Sequence, residues 1–304
     1  MVEDWEEYKK INYHLKELIS EIEAEERVKK ALKYVIESGG KRTRPIILML
    51  TAKLCGGSED DVINAALAAE LIHTASIIHD DIIDRGRFRR SSECLHIKYD
   101  ESLAMLVGDY LISKSVELVS KYSEEVIRNF ARAGMLMAEG EVIDISSTGD
   151  PNFSEDDYYR CIWKKTASLF AVCAWAGCRI VSSSEEWAEK MYNFGRDVGI
   201  AYQIVDDLLE FARIQEDKTS EFESITLPIL YSRQYGVKKG IRKVLDRITE
   251  YVESTKSHLN EFPDGEIKDK LLQIVDFMTL DLIRDYVEEK GSDSKIGMLI
   301  TEII

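Results

Sequence analysis

The stretch "SEDDVINAALAAELIHTASIIHDDIIDRGRFRR" (residues 58–90) decides how the chain is read. Ser58 and Asp61 stand in capping-box spacing ahead of a long run of helix formers, which predicts a helix over about 60–84. Asp80, Asp81 and Asp84 then fall in its last turn, at the negative end of the helix dipole, with Asp80 and Asp84 facing each other as like charges. Each effect costs a few tenths of a kcal/mol up to ~1. A bound cation would remove that penalty. Looking back along the same face, the residues within about 40° of Asp80 are Ser76, His73, Ala69 and Ala66, nearly all small.

The same helical period recurs through the rest of the 304 residues. With only four prolines and no Pro/Gly/Ser-rich linker, a single all-α domain spanning 1–304 is expected. The pattern predicts helices at about 3–37, 43–55, 60–84, 100–121, 123–145, 155–181, 185–213, 225–235, 238–259 and 265–288. Capping boxes are expected at Ser154/Asp157 and Ser183/Glu186, and residues after about 289 read as a short apolar tail.

A net charge of −16 argues against a general nucleic-acid or anionic-membrane binder. Five cysteines, an odd number with no CxxC pair, read as buried free thiols in a reducing compartment. The N-terminus "MVEDWEEYKK" is acidic, unlike a signal peptide, and "SLFAVCAWAGC" is too short to cross a bilayer. A cytoplasmic protein without stable membrane insertion is expected.

A second acidic cluster lies in "NFGRDVGIAYQIVDDLLEF" (193–211). Asp206 and Glu210 share a helix face with Gly195, Gly199 and Tyr202, with Gln203 at its edge. Glycine inside a helix costs ~1 kcal/mol relative to alanine, so something is expected close to that backbone. Together the two faces suggest a groove leading to carboxylates. Such hard oxygen ligands suit Mg²⁺, which takes one or two protein carboxylates and completes its octahedron with water and phosphate oxygens. Cationic donors for phosphate come from Lys41, Arg42 and Arg44 in "GGKRTRP", from Arg85, Arg87, Arg89 and Arg90, and from Lys164 and Lys165. Singly, each feature has an ordinary explanation as a solvated turn or a packing face. Their conjunction suggests a metal-bridged diphosphate carrying an apolar tail.

The motifs "GGKRTRP" at 39, "ELIHTASIIHDDIID" at 70, "RR" at 89, "GD" at 108, "KTASLF" at 165, "YQIVDD" at 202 and "TLP" at 226 follow one order. In that order the chain resembles the trans-isoprenyl diphosphate synthase (polyprenyl synthetase) family of the geranylgeranyl or longer-chain type, over roughly 35–285. The resemblance implies a helical bundle around a deep central cavity, usually in a homodimer, with the two acidic motifs at its mouth. It implies Mg²⁺-dependent condensation of isopentenyl diphosphate with an allylic prenyl diphosphate.

By the same resemblance, Asp80, Asp81, Asp84, Asp206 and Glu210 hold the metal. Arg89 and Lys165 contact the allylic diphosphate, while Lys41, Arg44, His73 and Arg90 bind that of isopentenyl diphosphate. Thr166 and Gln203 line the reacting centre. Asp80, Asp84, Lys165 and Asp206 carry the catalytic roles. A bulky aromatic at the position of Ala75 or Ser76 commonly stops elongation early in the family, so a product of C20 or longer is implied.

The chain departs from the family pattern at three places. "DDLLE" replaces DDxxD, Glu141 stands where glutamine is common, and the segment between Glu210 and "TLP" is short, with Ser224 about where a lysine is expected and Lys218 a substitute. The short segment keeps an alternative in view: a weakly catalytic or non-catalytic prenyl-diphosphate-binding subunit that modulates a partner synthase.

Overall fold

A computed structural model describes residues 2–89, 92–216, 224–290 and 295–303. The chain divides into two compact units, Met1–Arg132 with Ala176–Ala188, and Ala133–Trp175 with Glu189–Ile304. Helices dominate both, as the sequence implied. The only sheet among the described residues is a two-stranded hairpin, β1 (Phe88–Arg89) against β2 (Ser92–Glu93), paired Phe88 to Glu93 and Arg89 to Ser92.

The first unit holds α1 (Glu6–Glu21), α2 (Glu26–Glu37), α3 (Thr43–Leu54), α4 (Glu59–Ile83), α5 (Leu95–Lys98) and α6 (Glu101–Val119). The single helix expected over 3–37 is two, because the chain turns extended at Ile22. Glu21 and Glu25 would face each other as like charges in a continuous helix, and the break lets Ile22 bury. Helix α3 carries the unbroken apolar run Pro45–Leu50, longer than one turn, and Ile46 to Leu50 are wholly buried, as a run that covers every face must be. It is the core that α4 packs on, and α6 covers α4 from another side. The Ser58 capping box forms as expected, with Asp61 Oδ2 accepting from the Ser58 backbone N–H at 2.8 Å. By length and apolarity α4 could cross a membrane. Here it is a core helix, with Ala65, Ala66, Ala68, Ala69 and Leu71 fully buried.

The second unit draws on α7 (Glu124–Ser147), α8 (Glu155–Ile162), α9 (Ser168–Val181) and α10 (Glu185–Glu216). It continues through α11 (Leu227–Tyr235), α12 (Val237–Ser257), α13 (Glu266–Met278), α14 (Leu280–Lys290) and α15 (Lys295–Ile303). Three sequence expectations shift. The helix expected over 155–181 is interrupted by a π turn, Trp163–Ala167. The helix expected over 265–288 breaks at buried Thr279, whose hydroxyl bonds back to Val275 O at 2.7 Å. The cap of α10 is Ser184 rather than Ser183: its Oγ accepts from Trp187 N–H at 3.2 Å. The Ser154 box is as expected.

Candidate active site

In the first unit α4 stops at Ile83, and the Asp84 N–H bonds to Asp80 O at 2.8 Å. Asp80 is half-buried and Asp84 exposed, one turn apart. Asp81 turns the other way, because adjacent helix positions differ by 100°. It is buried, and its Oδ1 accepts from Arg89 Nε at 2.7 Å. The hairpin exists to return Arg89 over the helix end; its side chain stays 46% exposed while its root is fixed. Burial and the Asp81 charge push the neighbouring Cys94 thiol up to about 11, so it stays protonated.

A cleft in this unit is lined by Ser38, Gly39, Thr74, Asp81 and Arg89, which brings the glycine loop to the first acidic motif. Lys41 is exposed and Arg44 buried. Arg42, counted with them as a phosphate donor, does something else. Its backbone is left-handed (φ 52°), turning the side chain inward, where Nη1 meets Glu70 Oε1 at 2.5 Å and Nη2 donates to Ile36 O at 3.0 Å. Both partners of that ion pair are buried, so Arg42 locks the loop rather than meeting ligand. Arg90 lies outside the described residues. Farther up α4, His73 is half-buried and Ser76 Oγ donates to His73 O at 2.9 Å. Ala75 is wholly buried, so the two chain-length positions are not equivalent.

In the second unit the same division recurs on α10. Asp206 and Glu210 are exposed, one turn apart, while Asp207 between them is buried. The Tyr158 hydroxyl donates to Asp207 Oδ2 at 2.6 Å and Gln203 Nε2 donates to Oδ1 at 2.8 Å. Gln203 Oε1 in turn accepts from Thr166 Oγ1 at 2.6 Å. Burial pushes Asp207 up to about 7; the two donors oppose this, and the Asp206 and Glu210 charges add to it.

Thr166 and Lys165 lie in the π turn, where Ser168 N–H reaches back to Trp163 O. Lys165 Nζ bonds to Asp144 Oδ2 at 2.5 Å and sits 2.7 Å from Glu141 Oε2, an ion-pair contact without hydrogen-bond alignment. Lys164 pairs with Glu139. Gly140 lets α7 reach this turn: a Cβ there would lie 2.3 Å from Lys165 N.

Reading the sequence singled out neither Tyr158 nor Asp144. The spacing of Glu141 and Asp144, one helical turn, was the signal for the latter. The glycines of α10 also prove to have a different neighbour. A Cβ on Gly195 would lie 2.3 Å from Phe170 O and one on Gly199 2.7 Å from Ala167 Cα. They admit the backbone of the π turn and α9, not a ligand, so the groove inferred from them is a helix–helix contact.

Among the described residues no three His, Cys, Asp or Glu side chains gather into a closed metal cage. Each acidic motif instead offers two carboxylates one turn apart, leaving most of a coordination shell to water and phosphate. That donor set fits a hard divalent cation.

Residues 25–262 match the family described as Polyprenyl synthetase. The chain is 45% identical over 284 residues to geranylfarnesyl diphosphate synthase of Methanosarcina mazei, covering 93% of this chain and 96% of the relative. A crystal structure of a geranyltranstransferase from Methanosarcina mazei is similar at a TM-score of 0.81 and 43% identity, covering 93% of this chain and 100% of that one. A polyprenyl synthase from Caulobacter crescentus, solved with calcium and isoprenyl diphosphate, has a TM-score of 0.80 at 26% identity, over 89% of this chain and 94% of that one. Matched over most of its length in sequence and fold, the chain belongs to the polyprenyl synthetase family.

Proposed function

We propose that the chain is a Mg²⁺-dependent prenyltransferase that condenses isopentenyl diphosphate with an allylic diphosphate to give an all-trans prenyl diphosphate of C20 or longer. The observation that carries this is the repeated division of labour in the acidic motifs. In each, two carboxylates stand one helical turn apart, while the aspartate between them is buried and accepts a hydrogen bond from Arg89 or from Tyr158. The name of one similar protein, a geranylfarnesyl diphosphate synthase, supports the product class.

The residue roles implied by the family resemblance are proposed with it. Asp80 and Asp84, and separately Asp206 and Glu210, would hold the metal, which when bound neutralises charge on the departing diphosphate. Arg89 and Lys165 add fixed positive charge to the allylic diphosphate as its C–O bond breaks. Both are preorganised, the first by Asp81 and the second by Asp144 and Glu141, so little reorganisation is left for the moment of reaction. Lys41, Arg44, His73 and Arg90 orient isopentenyl diphosphate. Thr166 gives its proton to Gln203, so its oxygen lone pairs remain to face the allylic cation. The new C–C bond forms from the isopentenyl double bond, and the released pyrophosphate takes the proton lost.

A homodimer is proposed as well. Met105, Ile112 and Val116 follow one face of α6 at helical spacing and, with Leu106, are exposed. A second copy meeting this face about a two-fold axis would cover it. The five buried free thiols support a cytoplasmic setting.

The test is one preparation of purified protein with Mg²⁺, isopentenyl diphosphate and primers of five to twenty carbons. Pyrophosphate release, products of C20 or longer, and a light-scattering mass of twice 34.8 kDa are expected. No turnover with any primer would sink the reading. Turnover only after a second, different chain is added would favour the modulating-subunit alternative.

Glu141 should limit affinity. Two carboxylates share one ammonium at Lys165, leaving a local negative charge beside a diphosphate ligand. Removing one charge at such a partly exposed site is worth ~1 kcal/mol, so Glu141→Gln should lower KM for the allylic diphosphate about fivefold. An unchanged or raised KM in steady-state kinetics would contradict this.

A further inference from the structure

We propose that Tyr158 is a positioning residue for the condensation, acting through Asp207 to fix the amide of Gln203 and hence the hydroxyl of Thr166. This rests on the reading above that Gln203 and Thr166 line the reacting centre. Four side chains from three elements of one unit form an unbroken series: Tyr158 on α8, Asp207 and Gln203 on α10, Thr166 in the π turn.

The series has a direction. Ionised, Asp207 offers only acceptors, so it accepts from the Tyr158 hydroxyl on Oδ2 and from one Gln203 amide N–H on Oδ1. Gln203 must therefore present its NH₂ to Asp207 and its carbonyl to Thr166. Rotating that amide by half a turn would set its oxygen against the carboxylate and its NH₂ against the Thr166 hydroxyl. With the carbonyl facing it, Thr166 has to donate, and its lone pairs are left pointing elsewhere. Tyr158 stands at the far end as a donor, its hydroxyl 2.6 Å from Asp207 Oδ2. It is 2% exposed and Asp207 6%, so water cannot replace the phenol proton. Without it, Oδ2 has no partner, so the carboxylate is no longer pinned on that side and can rotate, carrying the Gln203 amide out of line with Thr166. A buried acceptor left unmade costs more than the bond itself contributed.

Tyr158→Phe keeps the ring, packed edge-on to Tyr159 at 5.5 Å, and removes only the hydroxyl. In the full-length Mg²⁺-loaded enzyme, kcat should fall about tenfold with KM for both substrates within about twofold, as misplacement of a group at the reacting centre predicts. Gln203→Ala should lower kcat at least as far, and adding Tyr158→Phe to it should cost nothing more, since the phenol acts only through the amide. Wild-type kcat in Tyr158→Phe, a rise in KM that matches the fall in kcat, or full additivity in the double variant would each overturn the proposal. If Gln203→Ala keeps the wild-type rate, the placement of Gln203 at the reacting centre falls and the relay falls with it. If Gln203→Ala is impaired and Tyr158→Phe is not, only the relay falls. Should Tyr158→Phe be insoluble, Asp207→Asn takes its place. An amide has one acceptor oxygen for two donors, so the same kcat-selective loss is expected, and wild-type kcat would overturn the proposal.

Discussion

Asp80→Ala should slow pyrophosphate release by about 10²- to 10³-fold or more, the loss expected when a preorganised partner of developing negative charge is removed. It should cost the fold little. Asp80 sits one turn before Asp84 at the carbonyl end of α4, where like charges and the helix dipole oppose it and the nearby Arg89 charge favours it. Asp81→Ala is the control that separates the two kinds of aspartate. It is buried and holds Arg89, so its loss should lower stability as well as rate. Pyrophosphate release and thermal unfolding measured side by side decide the matter. Activity of Asp80→Ala within a few-fold of wild type would remove the first acidic motif from the mechanism.

Ser76→Phe should shift the main product to shorter chains, with the first condensation largely kept. Ser76 is half-buried one turn above Asp80, about 6 Å along the axis, and on the same face. A ring there stands where a tail anchored at the aspartates would pass. Ala75→Phe should behave differently. Ala75 has no exposed surface, so a phenyl group must displace core neighbours, at a cost of about 1–3 kcal/mol or more. A lowered melting temperature is expected there, and at Ser76 a changed product profile. Chromatography of the products by chain length reads both. If wild type stops at fifteen carbons, or Ser76→Phe leaves the distribution unchanged, no channel runs along this face of α4.

The sequence by itself determined where most helices lie, because their signals act within one turn. The capping boxes at Ser58 and Ser154 and the 3.6-residue period of α4 need no distant partner to be read. It also determined the chemistry on offer, since two acidic pairs at i and i+4 are visible as letters. What only the tertiary structure decided is which member of each acidic run turns inward. Asp80 and Asp81, or Asp206 and Asp207, differ by one step of 100°, and the buried side is chosen by what packs there. For Asp207 that is Tyr158, 49 residues away in sequence, and for Arg42 it is Glu70, 28 away. The π turn at Lys165 and the use of Gly195 and Gly199 against α9 are of the same kind. Each is set by contacts between segments far apart in the chain, and no local pattern of residue types encodes which distant backbone will come within reach.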